Sequence, residues 1–451
     1  MEEKRLQKIK MRRKIYEKDL GYDLLKPLVD RSLSYGYRKM EVRGKENIPK
    51  DGAVIIAPNH CNTLMDALVI LRSHKDATVF GARADIFKRA FIGKVMTFLR
   101  ILPMVRQRDG LRNVLKNLET QDIIVETLEN EVRFCMYPEG KHRTEHSLQQ
   151  LGKGVFRAAL AADAKFGGEK PVYIVPTGIE YGDYFRYRST SLVNYGKPFN
   201  VTEFVRNNPV ENEVQLIEPM RKILASGMSE LITYLKDDEH LKAKWMLTKM
   251  LAIDGKKKGY GDFGTCLYDS MLENRKIAGA IDKALEENPE KMKEILEDVA
   301  EFDRKRRKKG ISIYSFRKIK HPALNATGKG LAALLGLPYW IFSAVVSLPM
   351  WLTFNIIKGK VRDKAFSNTV GFGVKLSLGN IMFLLYGILA FCLMPWYWAL
   401  AFMLLFIPSY GYFYDYIEGM RRYISDLRLM RNKKLRHFFK DIVKSYGKSF
   451  R

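Results

Sequence analysis

With 451 residues the chain can hold two or three units of ~100 to 200 residues, and its 77 Lys and Arg against 50 Asp and Glu leave a net charge of +27. That excess excludes a protein indifferent to polyanions and points to nucleic acid, an anionic membrane surface or phosphate-bearing substrates, without choosing among them. The four cysteines, Cys61, Cys135, Cys266 and Cys392, show no Cys-x-x-Cys spacing, which argues against a zinc site or a disulfide framework and fits a reduced, cytoplasmic-facing domain.

The first twenty residues, MEEKRLQKIKMRRKIYEKDL, are charged throughout and lack the apolar core of a secretory signal. Over 12–38, Leu24, Leu25, Leu28, Val29 and Leu33 recur close to one helical face among Lys26, Arg31 and Arg38. A basic amphipathic helix is expected within 1–39, either lying on a membrane surface or packing on its own domain.

From 40 to 205, short apolar runs at 52–57, 77–80, 101–105, 132–137 and 172–176 alternate with helical stretches. The alternation predicts an α/β unit, a largely parallel sheet flanked by helices. The first run leads into Ala57-Pro58-Asn59-His60-Cys61-Asn62-Thr63-Leu64-Met65-Asp66 and so delivers an imidazole at the sheet edge, where ligand crevices of open α/β folds lie. The run at 132–137 repeats the grammar with Tyr137-Pro138-Glu139-Gly140-Lys141-His142-Arg143. Between them lies Pro103-Met104-Val105-Arg106-Gln107-Arg108, and beyond them Val175-Pro176-Thr177-Gly178.

From 206 to 320 the composition shifts to charged helix, with a new helix starting at Pro289 and no chemical motif. The run Lys305 to Lys309 precedes hydrophobic sequence, a position that suits anionic headgroups as well as solvent. Residues 330–357 and 376–414 are strongly apolar, and a span needs ~20 such residues. The second block is long enough for two helices joined at Pro395. The first suffices for one, with Pro338 and Pro349 as kinks or as the turn of a re-entrant hairpin. Trp340, Trp351, Trp396 and Trp398 lie near the ends or turns of these blocks, as interfacial aromatics do. Lys358, Lys360, Arg362 and Lys364 follow the first block, and 421–451 carries eleven Lys or Arg against two Asp. Basic loops stay in the cytoplasm. The expected organisation is therefore a helix in 1–39, a catalytic unit in 40–205, a charged helical region in 206–320, a helical membrane region of two hairpins in 321–420 and a basic cytoplasmic tail in 421–451.

The four blocks, in this order, resemble the glycerolipid acyltransferases: lysophosphatidic acid acyltransferase, glycerol-3-phosphate acyltransferase and tafazzin. The resemblance covers roughly residues 40 to 200. In that family the first block is His, four residues, Asp, whereas five residues separate His60 from Asp66; the third reads Phe-Pro-Glu-Gly-Thr-Arg and is here one residue longer before the arginine. The resemblance implies transfer of a fatty acyl chain from acyl-CoA or acyl carrier protein to the hydroxyl of lysophosphatidic acid, with glycerol-3-phosphate or another lysophospholipid as the alternative acceptor. No cofactor is expected beyond the acyl donor, which is a substrate.

Acyl transfer needs a base for the hydroxyl proton, donors for the developing oxyanion and a grip on the anionic acceptor. His60 is the candidate base and Asp66 the group that fixes its tautomer. On a regular helix the six-residue step would turn Asp66 roughly 120° away from His60, so His60 is expected before the helix and Asp66 in its first turns. Otherwise Asn62 or a backbone carbonyl becomes the orienter. Arg106 matches the second block's arginine through Pro-x-x-Arg, and Arg108 on the same strand face would complete a phosphate clamp. Glu139 and Gly140, after Pro138, match the third block, whose residues in the family help bind the phosphorylated acceptor. Gly140 permits close approach and offers its amide to a phosphate or an oxyanion. Glu139 is expected to accept a glycerol hydroxyl or to orient Arg106 or Arg143, while Lys141, in place of the family's threonine, adds charge. Pro176 matches the fourth block, which shapes the acyl-donor side; turn chemistry accounts for it as well.

His142 and His146 share a His-x-x-x-His spacing without an acidic partner motif, so no metal site is expected. The chain has no Gly-x-Ser-x-Gly elbow and no P-loop, which favours direct transfer without a covalent enzyme intermediate. The rival from another class is a membrane-tethered scaffold that binds lipid or nucleic acid without turnover. No known nucleic-acid module or aromatic-laced basic patch supports it, and the His60 and Glu139 blocks would have no purpose there.

Overall fold

The computed structural model describes residues 14–84, 87, 90–104, 113–236, 238–255, 266–361 and 363–450. Its first helix, α1 (Leu20–Gly36), is capped by Asp19, whose carboxylate accepts from Tyr22 N, and runs directly into β1 (Tyr37–Arg43). The α/β unit continues through β2 (Ala53–Pro58), α2 (Leu64–Ser73), β3 (Thr78–Arg83), α3 (Ala90–Phe98), β4 (Ile101–Met104), α4 (Asn113–Glu129), β5 (Arg133–Cys135), α5 (Gly154–Phe166), β6 (Val172–Tyr181), β7 (Ser189–Tyr195) and β8 (Phe199–Asn200). The strands lie in the order β1-β7-β6-β2-β5-β3-β4, with β8 on β6. All described pairings are parallel except those of β7 and β8 with β6. The expected largely parallel sheet flanked by helices is what the chain forms.

β2 is apolar along its length because it is central and covered on both faces. Ala53, Ile55 and Ala57 point into one core with residues of α4, α5 and the later helix α7 (Ile217–Ser229). Val54 and Ile56 point into the other, with Leu33 of α1 and Val69 of α2. Pro103 is tolerated inside β4 because that strand is the sheet edge and its missing N–H breaks no ladder.

Four boundaries differ from expectation. β1 straddles the border drawn at 39/40; of its polar sequence, YRKMEVR, only Tyr37 and Glu41 are fully buried. The border at 205/206 falls inside α6 (Val201–Asn207), and α7 beyond it belongs to the sheet's core through Met220, Leu224 and Met228. The tail is not free either: α14 (Lys433–Phe450) buries Leu435, Phe439, Ile442 and Tyr446 against α8 (Leu241–Gly255) and α10 (Pro289–Lys308). Finally, the first apolar block is no hairpin. It is one continuous helix, α11 (Pro322–Lys360), that runs through Pro338 and Pro349.

The second apolar block does turn at Met394-Pro395, between α12 (Ser367–Leu393), which contains a π-helical turn at Lys375–Gly379, and α13 (Trp396–Met430). α11 and α12 are each long and apolar enough to cross a membrane, and only 17% and 11% of their most apolar windows are buried. Core helices of a soluble protein would be mostly covered. As the sequence predicts, α10 starts at Pro289 after α9 (Leu267–Glu287), with Asn288 Oδ1 accepting from Lys291 N as the cap.

Candidate active site

β2 and β5 lie side by side and parallel, with Ile55 opposite Phe134 and Ile56 opposite Cys135. Their chains therefore leave the sheet at the same edge, and the two Pro-containing loops meet. His60 N donates to Glu139 Oε1 at 2.9 Å, and Arg143 N donates to His60 O at 2.9 Å. The other Glu139 oxygen accepts from Gln149 N at 3.0 Å and from Gln149 Nε2 at 3.1 Å. Burial pushes the Glu139 carboxyl up, and these donors oppose the push. Glu139 thus ties the two loops together, where the sequence suggested a contact to a glycerol hydroxyl or to an arginine.

The loop between β2 and α2 wraps around Asp66. His60 Nδ1 lies 2.8 Å from Asp66 Oδ2, which also accepts from Cys61 N at 2.8 Å and Asn62 N at 2.7 Å. Oδ1 accepts from Tyr181 Oη at 2.8 Å. A carboxylate already accepting from two amides and a hydroxyl is an acceptor for the imidazole too, which assigns the proton to Nδ1 and the lone pair to Nε2. His60 precedes the helix and Asp66 is in its first turn, as the six-residue step requires. Thr63, the residue before α2, has φ 50°, a region that a β-branched residue rarely adopts. The imidazole is 19% exposed and stacks on Tyr137, with centroids 4.3 Å apart.

The remaining candidates divide. Gly140 has φ +65°, which only glycine adopts without strain, and open space where a Cβ would stand, but its amide donates inward to Tyr137 O at 3.1 Å. Pro138 is buried, and its carbonyl accepts from Gly152 N at 2.7 Å. Lys141 is exposed at the rim, and its carbonyl accepts from Gln149 Nε2 at 2.7 Å. Arg143 turns its guanidinium to Ser147 Oγ and, at 3.6 Å, to Glu145. Two candidates are not brought to the open side. Asn62 is fully buried, its Nδ2 donating to Tyr184 O at 3.1 Å, so Asp66 and not Asn62 orients the histidine. Pro176 pairs with Ala57 inside the sheet and packs its ring toward Gly196 and Gly227. Arg106 and Arg108 lie outside the described residues, in the segment that follows β4.

Sequence reasoning missed Gln149, Tyr181, Tyr137 and Asp363. The last reaches the site from far along the chain: its Oδ2 is 2.8 Å from His142 Nε2, and the His142 ring stands edge-on to His60 at 5.7 Å. Gln149 and Tyr181 carry no motif, and only the fold reveals that their positions face the block residues. Among the described residues no group of three or more His, Cys, Asp and Glu side chains is placed to hold a metal ion.

An imidazole held by a buried carboxylate at the edge of a parallel sheet, crossed by a Pro-Glu-Gly loop, defines a class. Residues 39–180 match the family model described as Acyltransferase, and this unit is what the chain shares with that family. The same stretch contains all four blocks that resemble the glycerolipid acyltransferases. Among solved structures, the 1-acyl-sn-glycerophosphate (LPA) acyltransferase PlsC from Thermotoga maritima is 19% identical, with 47% of this chain and 79% of that chain covered and a TM-score of 0.34. No curated protein matches the chain.

Proposed function

We propose that the chain is a membrane-bound acyltransferase that moves a fatty acyl chain from acyl-CoA or acyl carrier protein onto the hydroxyl of lysophosphatidic acid. The observation that carries the reading is the His60 Nδ1 to Asp66 Oδ2 pair, which leaves Nε2 as the basic atom. His60 Nε2 takes the hydroxyl proton while the oxygen attacks the thioester carbonyl. Asp66 stabilises the imidazolium that results. Collapse of the tetrahedral adduct expels the thiolate, which recovers the proton from His60. Arg106 and Arg108 are the proposed phosphate clamp, following β4. Membrane attachment is supported by the apolar side chains that α11, α12 and α13 leave exposed, among them Leu335 at 73%, Leu393 at 76% and Trp396 at 70%. The basic residues after α11 and at the C-terminus support a cytoplasmic-facing site.

The test is a rate measurement on purified protein in detergent, with lysophosphatidic acid or glycerol-3-phosphate as acceptor and each donor in turn. Lysophosphatidic acid is expected to be acylated. His60→Ala is expected to lower kcat by about a thousandfold or more with the thermal midpoint unchanged. Turnover that survives this substitution removes His60 from the mechanism.

A further inference from the structure

The segment that joins the two apolar helices folds back onto the catalytic loops. Asp363 Oδ2 meets His142 Nε2 at 2.8 Å, and Phe366 meets the same ring edge-on at 6.0 Å. At the start of α12, Thr369 Oγ1 lies 3.0 Å from Thr63 Oγ1, and Asn368 Nδ2 donates to Tyr184 O at 2.6 Å. Residues of this segment therefore touch both motif loops, and His142 carries the contact to the base.

A glycerophosphate whose hydroxyl sits at His60 Nε2 carries its phosphate only a few bonds away, beside that imidazole. The side chains of the Pro-Glu-Gly loop are largely committed elsewhere: Glu139 to the His60 amide and Gln149, Arg143 to Ser147 and Glu145. Of the two rings in this block that meet His60, Tyr137 stacks on its face and His142, the one with ring nitrogens, stands at its edge. A phosphate is best met by a donor with a counter-charge behind it, and with Nε2 directed at a carboxylate His142 keeps Nδ1 for a ligand. The Asp363 carboxyl is held below the ordinary carboxylate range by the Ala365 amide and by His142, so it is available as that counter-charge.

We infer that His142 recognises the acceptor's phosphate and that Asp363 is its positioning residue, so that the segment between the two apolar helices completes the acceptor site. This rests on the acyltransferase reading and assigns its acceptor subsite. The unusual length of the third block is then explained, because the added residue places an imidazole where the joining segment can hold it.

The experiment compares lysophosphatidic acid with its phosphate-free counterpart, 1-acylglycerol, using full-length protein in detergent. Asp363→Asn is expected to raise KM for lysophosphatidic acid about tenfold with a smaller loss of kcat, the size of effect typical of one charge-assisted hydrogen bond. It is expected to change kcat/KM for 1-acylglycerol less than twofold, to add nothing to His142→Ala, and to be rescued in part by Asp363→Glu. In the His60→Ala background, calorimetric binding of lysophosphatidic acid is expected to weaken by the same factor when Asp363→Asn is added. An unchanged KM with unchanged binding overturns the inference, as does an equal loss with both acceptors. His60→Ala alone decides the acyltransferase reading, and the binding comparison in that background decides on His142 whichever way the first result falls.

Discussion

The Asp66 carboxylate does more than pair with an imidazole: by accepting from Cys61 N and Asn62 N it also shapes the loop that carries His60. Asp66→Asn replaces an acceptor by an amide, one end of which is a donor. With two backbone N–H groups still demanding the oxygen, the NH2 end is left toward the Tyr181 hydroxyl, and the imidazole loses the charge that stabilises its protonated form. The expected outcome is a fall in kcat of about a thousandfold or more, with KM for the acceptor changed little, measured by steady-state kinetics. A nearby buried pair gives a prediction about pH. Burial pushes the Glu180 carboxyl up to about 7, against the Thr233 amide that lowers it, and the His146 ring lies 3.9 Å away. The folded state thus binds a proton more tightly than the unfolded chain. Stability is full below about pH 4.5, falls as pH rises toward 7, and stays lower above that. Burial also drives His146 down to about 3, so this ring costs stability as pH drops below its ordinary 6.5, the opposite slope. Glu180→Gln removes only the first effect. It is expected to raise the thermal midpoint at pH 8 relative to wild type and to leave it little changed at pH 4.5; an equal shift at both pH values would contradict the assignment.

The strands whose side chains are apolar on both faces were legible from the amino-acid sequence, because a central parallel strand has no solvated side and reads as a continuous run. β1 and β7 were not legible. β1 fully buries only Tyr37 and Glu41 of a polar segment, and Ser189–Tyr195 is a hairpin partner whose polar Ser189, Ser191 and Asn194 are nonetheless buried. The His60 and Glu139 blocks were legible as neighbours in purpose, yet the bond between them depends on β2 and β5 being adjacent, which sequence spacing does not express. The prolines of α11 misled for a physical reason. A helix interrupted by Pro338 loses a hydrogen bond in isolation, but here the neighbouring helix supplies donors to carbonyls in the turn before it. Tyr412 Oη donates to Gly336 O at 3.1 Å and Tyr416 Oη to Ala333 O at 2.9 Å, while Tyr339 Oη donates back to Leu405 O at 2.8 Å. Glycines make that approach feasible: a Cβ on Gly330 would lie 2.8 Å from Tyr423 Oη, and one on Gly336 would collide with Tyr412 Oη. Gly336→Val is expected to part α11 from α13. The check is a lower thermal midpoint in detergent, with an unaltered midpoint for Gly328→Val, where a Cβ meets nothing.

At the scale of the whole molecule, the acyltransferase unit is fastened to the long apolar helices by charge on one side and by apolar packing on the other. Asp415 of α13 receives Arg38 at 2.7 Å and Arg188 at 2.9 Å, and Glu418 receives Arg186 at 2.7 Å. Phe372 of α12 is buried in the same cluster as Leu33, Val54 and Ile56, so the helix that begins beside the two motif loops is part of the sheet's own core. The large positive charge is therefore only partly a surface feature; some of its arginines are spent inside the junction. The acceptor site proposed above would then depend on the seating of the helices, since the segment carrying Asp363 and Thr369 leads directly to Phe372 in the sheet's core. Asp415→Ala leaves two guanidinium groups facing each other in a half-buried position without their shared carboxylate, a cost of about 2 kcal/mol or more. The expected result is a lower thermal midpoint together with a raised KM for lysophosphatidic acid, although Asp415 touches neither motif loop. Asp415→Glu is expected to recover both. If the midpoint falls while KM for the acceptor stays at the wild-type value, the catalytic site is complete without the helices, and their role is attachment alone.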